Sequence, residues 1–238
     1  MGFGASGQAS VSRRWLRIQL SAPLMSFGSV AVDQVGPTAR WPGLSMLTGL
    51  IGNALGWDWT ERDAHAALQG RLVAGAALVG EGDLVIDVQN ASLGKNDRGW
   101  TTRGEPDGRT GASYDAPHRR RREYLADADV VVVLTLEPAD STPTLDEIQE
   151  AFVRPARPLF IGRKSCLPSR CLIDARSGPF EAANAHEALR VAVGRDGALA
   201  WWPEGEGPEA VRTVEAFDLR NWDSGLHGGT RRVREGHT

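Results

Sequence analysis

The sequence predicts an α+β chain whose larger, N-terminal part follows the split βαββαβ order of a ferredoxin-like domain. Three observations carry that prediction. Trp15 to Leu20 (WLRIQL) alternates apolar and polar side chains, as a half-buried strand does. Leu44, Leu47, Ile51 and Leu55 fall on one stripe of a helix. Asp129 to Leu136 is a nearly continuous apolar strand, and a helix with its own start signal follows it.

Taken in order, Ser21-Ala22-Pro23 ends the first strand, and Ser26 to Pro42 is an irregular connection. The helix over Leu44–Leu55 carries Gly49, Gly52 and Ala54 as a small-residue surface, which predicts close packing against a sheet. Thr60 is placed to cap a short helix from Glu61 to Leu68. Arg71–Val79 and Leu84–Val88 read as strands joined by Gly80-Glu81-Gly82-Asp83. A polar excursion, rich in Gly, Asp and Arg, separates them from the apolar strand at Asp129. Thr144 with Glu147 three residues later forms a capping box, Leu145, Ile148 and Phe152 supply the buried face, and Pro155 and Pro158 stop the helix. The segment Leu159–Ile173 is expected to supply the last strand. A helix over Asn184–Val191 and short strands near Leu199–Trp202 and Val211–Phe217 make a smaller β-rich C-terminal region. The expected organisation is a flexible tail at 1–12, a ferredoxin-like domain at 13–177 and the smaller region at 178–238.

A chain of 238 residues buries a sizeable core. Its 41% hydrophobic and 24% charged residues fit an ordinary globular protein. No apolar run approaches the roughly 20 residues of a membrane helix, and the start MGFGASGQASVS lacks a signal-peptide core, so a cytoplasmic location is expected. Cys166 and Cys171 have no His or Cys cluster beside them, which argues for reduced thiols and no metal site.

Charge is where the sequence becomes specific. Of 27 Lys and Arg, only Lys95 and Lys164 are lysine. Lys95 to Arg122 holds eight cations against four carboxylates, and Arg154 to Arg176 holds six against one. With a whole-chain charge of -3, the other 187 residues therefore carry -12. A basic face on an acidic body suits nucleic acid, and Arg binds phosphate bidentately and stacks on bases where Lys is a point charge. The densest group is Arg119, Arg120, Arg121 and Arg122. At strand spacing only alternate members share a side, so two of the four are expected to touch RNA. Arg40 stands just before the first helix, where backbone N–H groups and a cation can converge on phosphate, with a surface salt bridge as the alternative. Trp41 beside it is the tryptophan to watch as a base-stacker.

Several motifs resemble one family. Leu16 to Gly28 (LRIQLSAPLMSFG), Pro37 to Gly56 (PTARWPGLSMLTGLIGNALG), Arg122-Glu123-Tyr124-Leu125 before the apolar strand, and Pro158 to Cys166 (PLFIGRKSC) resemble, in order and spacing, motifs of RAMP proteins of CRISPR effector complexes. The closer similarity is to the Cas-five family, the CasD-type subunits of type I-E Cascade. That resemblance implies an RRM-like fold interrupted by an extended β-hairpin thumb, here at about 90–122. It implies a non-catalytic subunit that holds the 5′ handle of the crRNA, contacts the backbone subunit CasC and the large subunit CasA, and serves antiviral DNA interference with no cofactor.

The thumb then offers Lys95, Arg98, Trp100, Arg103 and Arg109 for phosphate contact and stacking. Gly162 lets the chain pass close to RNA while Arg163 and Lys164 bind phosphate. An alternative is a metal-independent endoribonuclease that processes repeat RNA, as in a type I-C relative. Tyr114, His118 and Arg119 are one set that can supply its base, acid and cation.

Overall fold

The computed structural model describes residues 12–31, 33–91, 99–100, 106–107, 118–174, 176 and 178–238. Its elements in chain order are β1 (Arg13–Ser21), β2 (Leu24–Met25), β3 (Val35–Gly36), α1 (Leu44–Leu55), α2 (Arg62–Arg71), β4 (Leu72–Gly80) and β5 (Asp83–Ala91). Then come β6 (Gly99–Trp100), β7 (Pro106–Asp107), β8 (His118–Ala126), β9 (Asp129–Leu136), α3 (Leu145–Val153) and β10 (Phe180–Ala182). The chain ends with α4 (Ala185–Val193), β11 (Leu199–Pro203), β12 (Arg212–Arg220) and β13 (His227–His237).

A seven-stranded antiparallel sheet organises the molecule, in the order β10-β1-β9-β4-β11-β13-β12. The alternation in β1 sends Leu16, Ile18 and Leu20 to one face, where α1 and α3 cover them with Leu47, Ile51, Ile148 and Phe152. Trp15, Val133 and Ala77 face the other way and pack under Ala185, Ala188 and Leu189 of α4. The near-continuous apolar run of β9 follows from this, since a strand covered on both faces has no side left for polar residues. Of the strands in 178–238, β11, β13 and β12 continue the same sheet beyond β4, while β10 lies at its other edge beside β1.

Local signals set the helix ends. Thr144 Oγ1 accepts from the Glu147 N–H, and the Glu147 carboxylate accepts from the Thr144 N–H, which is the reciprocal capping box. Glu61, with no side-chain cap bond, precedes α2 in place of the expected Thr60 cap. On α1 the small residues face elsewhere than expected. A Cβ at Gly52 would meet His65 at 2.7 Å and Trp57 at 3.2 Å, so the absent side chain admits the α2 histidine, while the leucines face the sheet.

The segment Leu159–Ile173 forms no strand. It folds back on itself through Ile161 N–H to Cys166 O at 2.7 Å and Cys166 N–H to Arg163 O at 2.8 Å. Afterwards its backbone meets the β1 edge through Gln19 N–H to Leu172 O and Ser169 N–H to Ser21 O, too sparse a pairing to make a strand. Pro168 and the tight turn at Gly162 break the extended run. The three residues of β10 take the strand position beside Arg13–Trp15 instead.

An ion pair ties β1 to α3, with Arg14 donating to Asp146 at 2.8 and 3.0 Å. That hydrogen bonding holds the Asp146 carboxyl below the usual carboxylate range. With the folded value the lower one, the contribution is present above the unfolded-state value and lost as pH falls through the depressed one. Both side chains are more than half exposed. Asp146→Asn is therefore expected to cost no more than ~0.5 kcal/mol at neutral pH, and progressively less as pH falls through the depressed value, in urea titrations.

Candidate nucleic-acid interface

The arginine run lies on β8, the central strand of a second, smaller sheet. β5 pairs along its whole length, from Asp83 opposite Ala126 to Ala91 opposite His118. On its other side lie β2, at Leu125 and Ala126, and β3, parallel at Arg121 and Arg122. Alternation divides the four arginines. Arg120 donates to the Asp33 carbonyl at 3.4 Å and Arg122 to Gln89 Oε1 at 3.1 Å. Arg119 and Arg121 are exposed and make no side-chain hydrogen bond or ion pair among the described residues. The outer strand of this ribbon is apolar and uncovered: Leu84, Val85, Ile86 and Val88 are 58, 40, 47 and 55% exposed.

The glycine-containing loop docks onto the base of that ribbon. Gly162 has φ +85°, and a Cβ there would stand 1.6 Å from the Ser26 carbonyl oxygen. Only glycine allows both the left-handed backbone and this approach. Arg163 then acts as a staple. Its guanidinium donates to the Glu123 carbonyl at 2.9 Å and the Gly36 carbonyl at 2.8 Å, and it lies 4.7 Å from the Tyr124 ring centroid. Lys164 and Ser165 remain exposed beside it.

Next to the staple is a cleft of about 330 Å³ between the Ser26–Gly28 turn, the glycine loop and α1. Phe27, Phe160 and Trp222 give it aromatic walls, Ser45 and Asn53 a polar edge, and Arg163 and Arg220 its charge. Among the described residues no Asp or Glu lines it. Arg220 stands 5.2 Å over the Trp222 ring, which is stacked at 4.5 Å on His65. An aromatic, cationic, carboxylate-free cleft suits a base with its phosphate.

Sequence reasoning found the glycine loop and missed Arg220 and Trp222, which reach this cleft from β12 and the turn after it. The one local signal was an Arg and a Trp two positions apart. Other expected residues are placed differently. Arg40 is exposed and 3.6 Å from Glu81, so it makes the surface ion pair that was the alternative reading. The start of α1 is already occupied by a carboxylate, since Leu44 N–H donates to Asp218 Oδ2 at 3.1 Å. Asp218 is in turn gripped by Arg231 at 2.7–3.0 Å. Trp41 is half-buried and stacks on Trp201 at 5.0 Å, which leaves it at most one free face. Lys95, Arg98, Arg103, Arg109 and Tyr114 lie outside the described residues. Trp100 and His118 are described through their backbone alone, in β6 and β8. Arg232 and Arg234 of the C-terminal basic segment both pair with Glu204.

Because Asp218 and Arg231 are only 12 and 17% exposed, Asp218→Asn leaves a buried guanidinium without its counter-ion, although the amide oxygen can still accept from the Leu44 N–H. It is expected to lower stability by about 2–4 kcal/mol in a denaturant titration. Among the described residues no group of three His, Cys, Asp or Glu side chains is placed to hold a metal. Likewise no described helix is long and apolar enough to cross a membrane. The two cysteines are free, Cys166 buried and Cys171 exposed.

Comparison with known proteins places the fold and the family. "CRISPR system Cascade subunit CasD" of Escherichia coli (strain K12) is 29% identical over 154 residues, 65% of this chain and 67% of that protein. A solved chain of a "CRISPR RNA-guided surveillance complex" superposes with TM-score 0.67 at 19% identity, covering 94% of this chain and 90% of the other. Another, described as "Crystal structure of Cas protein", gives TM-score 0.59 at 23% identity and 94% coverage of both. These two show a shared fold, which in this chain is mixed α+β with one large antiparallel sheet and four helices among the described residues. The model of one family matches residues 15–234, almost from the first strand to the last, and by that match the chain belongs to the CRISPR-associated protein (Cas_Cas5) family.

Proposed function

We propose that this chain is a non-catalytic subunit of a Cascade-type surveillance complex that holds the 5′ handle of the crRNA for antiviral DNA interference. The observation that carries the reading is the carboxylate-free cleft of Arg163, Arg220, Phe27, Phe160 and Trp222, joined by the Arg163 staple to the arginine-bearing β8. RNA laid along Arg119 and Arg121 reaches the cleft beside Lys164, with phosphates on guanidinium groups and bases on aromatic walls. The strand order β10-β1-β9-β4, with every neighbour antiparallel, supports a ferredoxin-like, RRM-related core. The pairing of β5 with β8, whose ends flank the segment at about 90–122, supports reading that segment as a thumb. The uncovered apolar edge of β5 supports contact with a protein subunit, of the CasC backbone or CasA large-subunit kind, because a long bare strand edge calls for covering.

The test is incubation of the purified protein with end-labelled RNA of its own CRISPR repeat in EDTA, run on denaturing and native gels. Intact RNA retained on the native gel is the expected result. A single discrete cut, abolished by His118→Ala or Tyr114→Phe, would make the chain the processing endoribonuclease instead.

A further inference from the structure

We infer that a second cleft, on the far side of Phe27 and Gly28, receives an arginine or lysine side chain presented by a neighbouring protein chain. It measures about 270 Å³ and lies between the loop after β2, the start of α1 and β12. Phe27, Gly28 and Ser45 line both clefts, so the two stand back to back. Their charges are sorted. Among the described residues the first cleft is lined by two arginines and no carboxylate, the second by Glu215 and Asp218 and no cation.

The two carboxylates are not equivalent. Asp218 is already neutralised by Arg231 and caps α1. Glu215 is exposed and makes no ion pair among the described residues, and its cross-strand neighbour Arg232 is held by Glu204 at 2.9 Å. Around this carboxylate stand Phe27, Trp41 and Phe217. Aromatic rings beside one unneutralised carboxylate are the environment that desolvated guanidinium and ammonium groups prefer, and one that repels phosphate. The volume is just below the range of about 300–1,000 Å³ typical of small-molecule sites, which suits a single long side chain. Val30 and Phe217 on its walls are each 51% exposed, apolar surface that a protein carrying that side chain would cover.

The chain is tested by following the backbone amide signals of Val30, Ala216 and Phe217 in ¹⁵N NMR. The probes are Nα-acetyl-arginine amide, its citrulline analogue of the same shape without charge, and uridine 5′-monophosphate. The arginine probe is expected to move all three signals, Glu215→Gln to reduce that shift at least fivefold, and the other two probes to leave the signals in place. An equal response to citrulline, an undiminished shift in Glu215→Gln, or movement by the nucleotide would overturn the proposal. In the assembled complex, Glu215→Arg is expected to cut co-purification of one protein subunit at least tenfold while retention of repeat RNA is unchanged, and undiminished co-purification would also contradict it. The NMR arm contains no RNA polymer or partner, so it stands or falls separately from the handle-binding reading.

Discussion

Gly162→Ala is expected to lower the unfolding free energy by about 3 kcal/mol or more and to weaken RNA retention together with it. Two costs add. A non-glycine residue at φ +85° carries strain of about 1–2 kcal/mol, and a Cβ only 1.6 Å from the Ser26 carbonyl forces backbone to move, at about 1–3 kcal/mol more. The damage spreads by connection. Ser26 N–H donates to Ile161 O, and Arg163, one residue on, holds Glu123 and Gly36. Displacing the loop therefore loosens both the cleft and the base of β8. Gly70→Ala is the control with the opposite sign. That residue is exposed in α2, has open space at its Cβ, and should gain roughly 0.5–1 kcal/mol from better helix propensity. Urea titration of both variants, with native-gel affinity for the repeat RNA, checks the pair.

Removing Arg119 and Arg121 together is expected to weaken RNA binding at least tenfold, whereas Arg120→Ala with Arg122→Ala has a smaller effect. The division follows strand alternation. Arg120 and Arg122 are already engaged by Asp33 and Gln89, while Arg119 and Arg121, on the other side of β8, are engaged by no partner among the described residues. If each of the latter neutralises one phosphate, the slope of log K against log salt should fall by about 1.4 in the double variant, at about 0.7 per contact for a single strand. A loss of affinity with unchanged slope would mean that they position the ribbon rather than meet the backbone.

Which parts were legible in the sequence follows from how local their causes are. Thr144 and Glu147 write their capping box within four residues, and β9 announces burial on both faces by its own composition. The glycine loop was legible for the same reason, as a short motif with its geometry inside it. The bounds and partner of β8 were not, because HRRRREYLA shows no alternation over its first half, and pairing with β5 rather than a buried face makes it a strand. β13 was missed likewise: of its eleven residues only Val233 and Gly236 are buried, and its order comes from β11 and β12 on either side. The site divides along the same line. Gly162 and Arg163 could be named from neighbours in sequence, but the wall formed by Arg220 and Trp222 and the capping of Leu44 by Asp218 join residues 174 positions apart in the latter case. Arg40 looked free to bind phosphate because neither Glu81 nor Asp218 is near it in sequence.

The most direct test of the central claim is ultraviolet crosslinking of the protein to its own 5′-handle RNA, with the crosslinked peptides identified by mass spectrometry. The account predicts crosslinks at Phe27, Phe160 or Trp222 and in the peptides adjoining Arg119–Arg122, reduced in the Arg119→Ala, Arg121→Ala double variant. Crosslinks concentrated on α4, or at Phe217 in the acidic cleft, with none around Gly162, would contradict it.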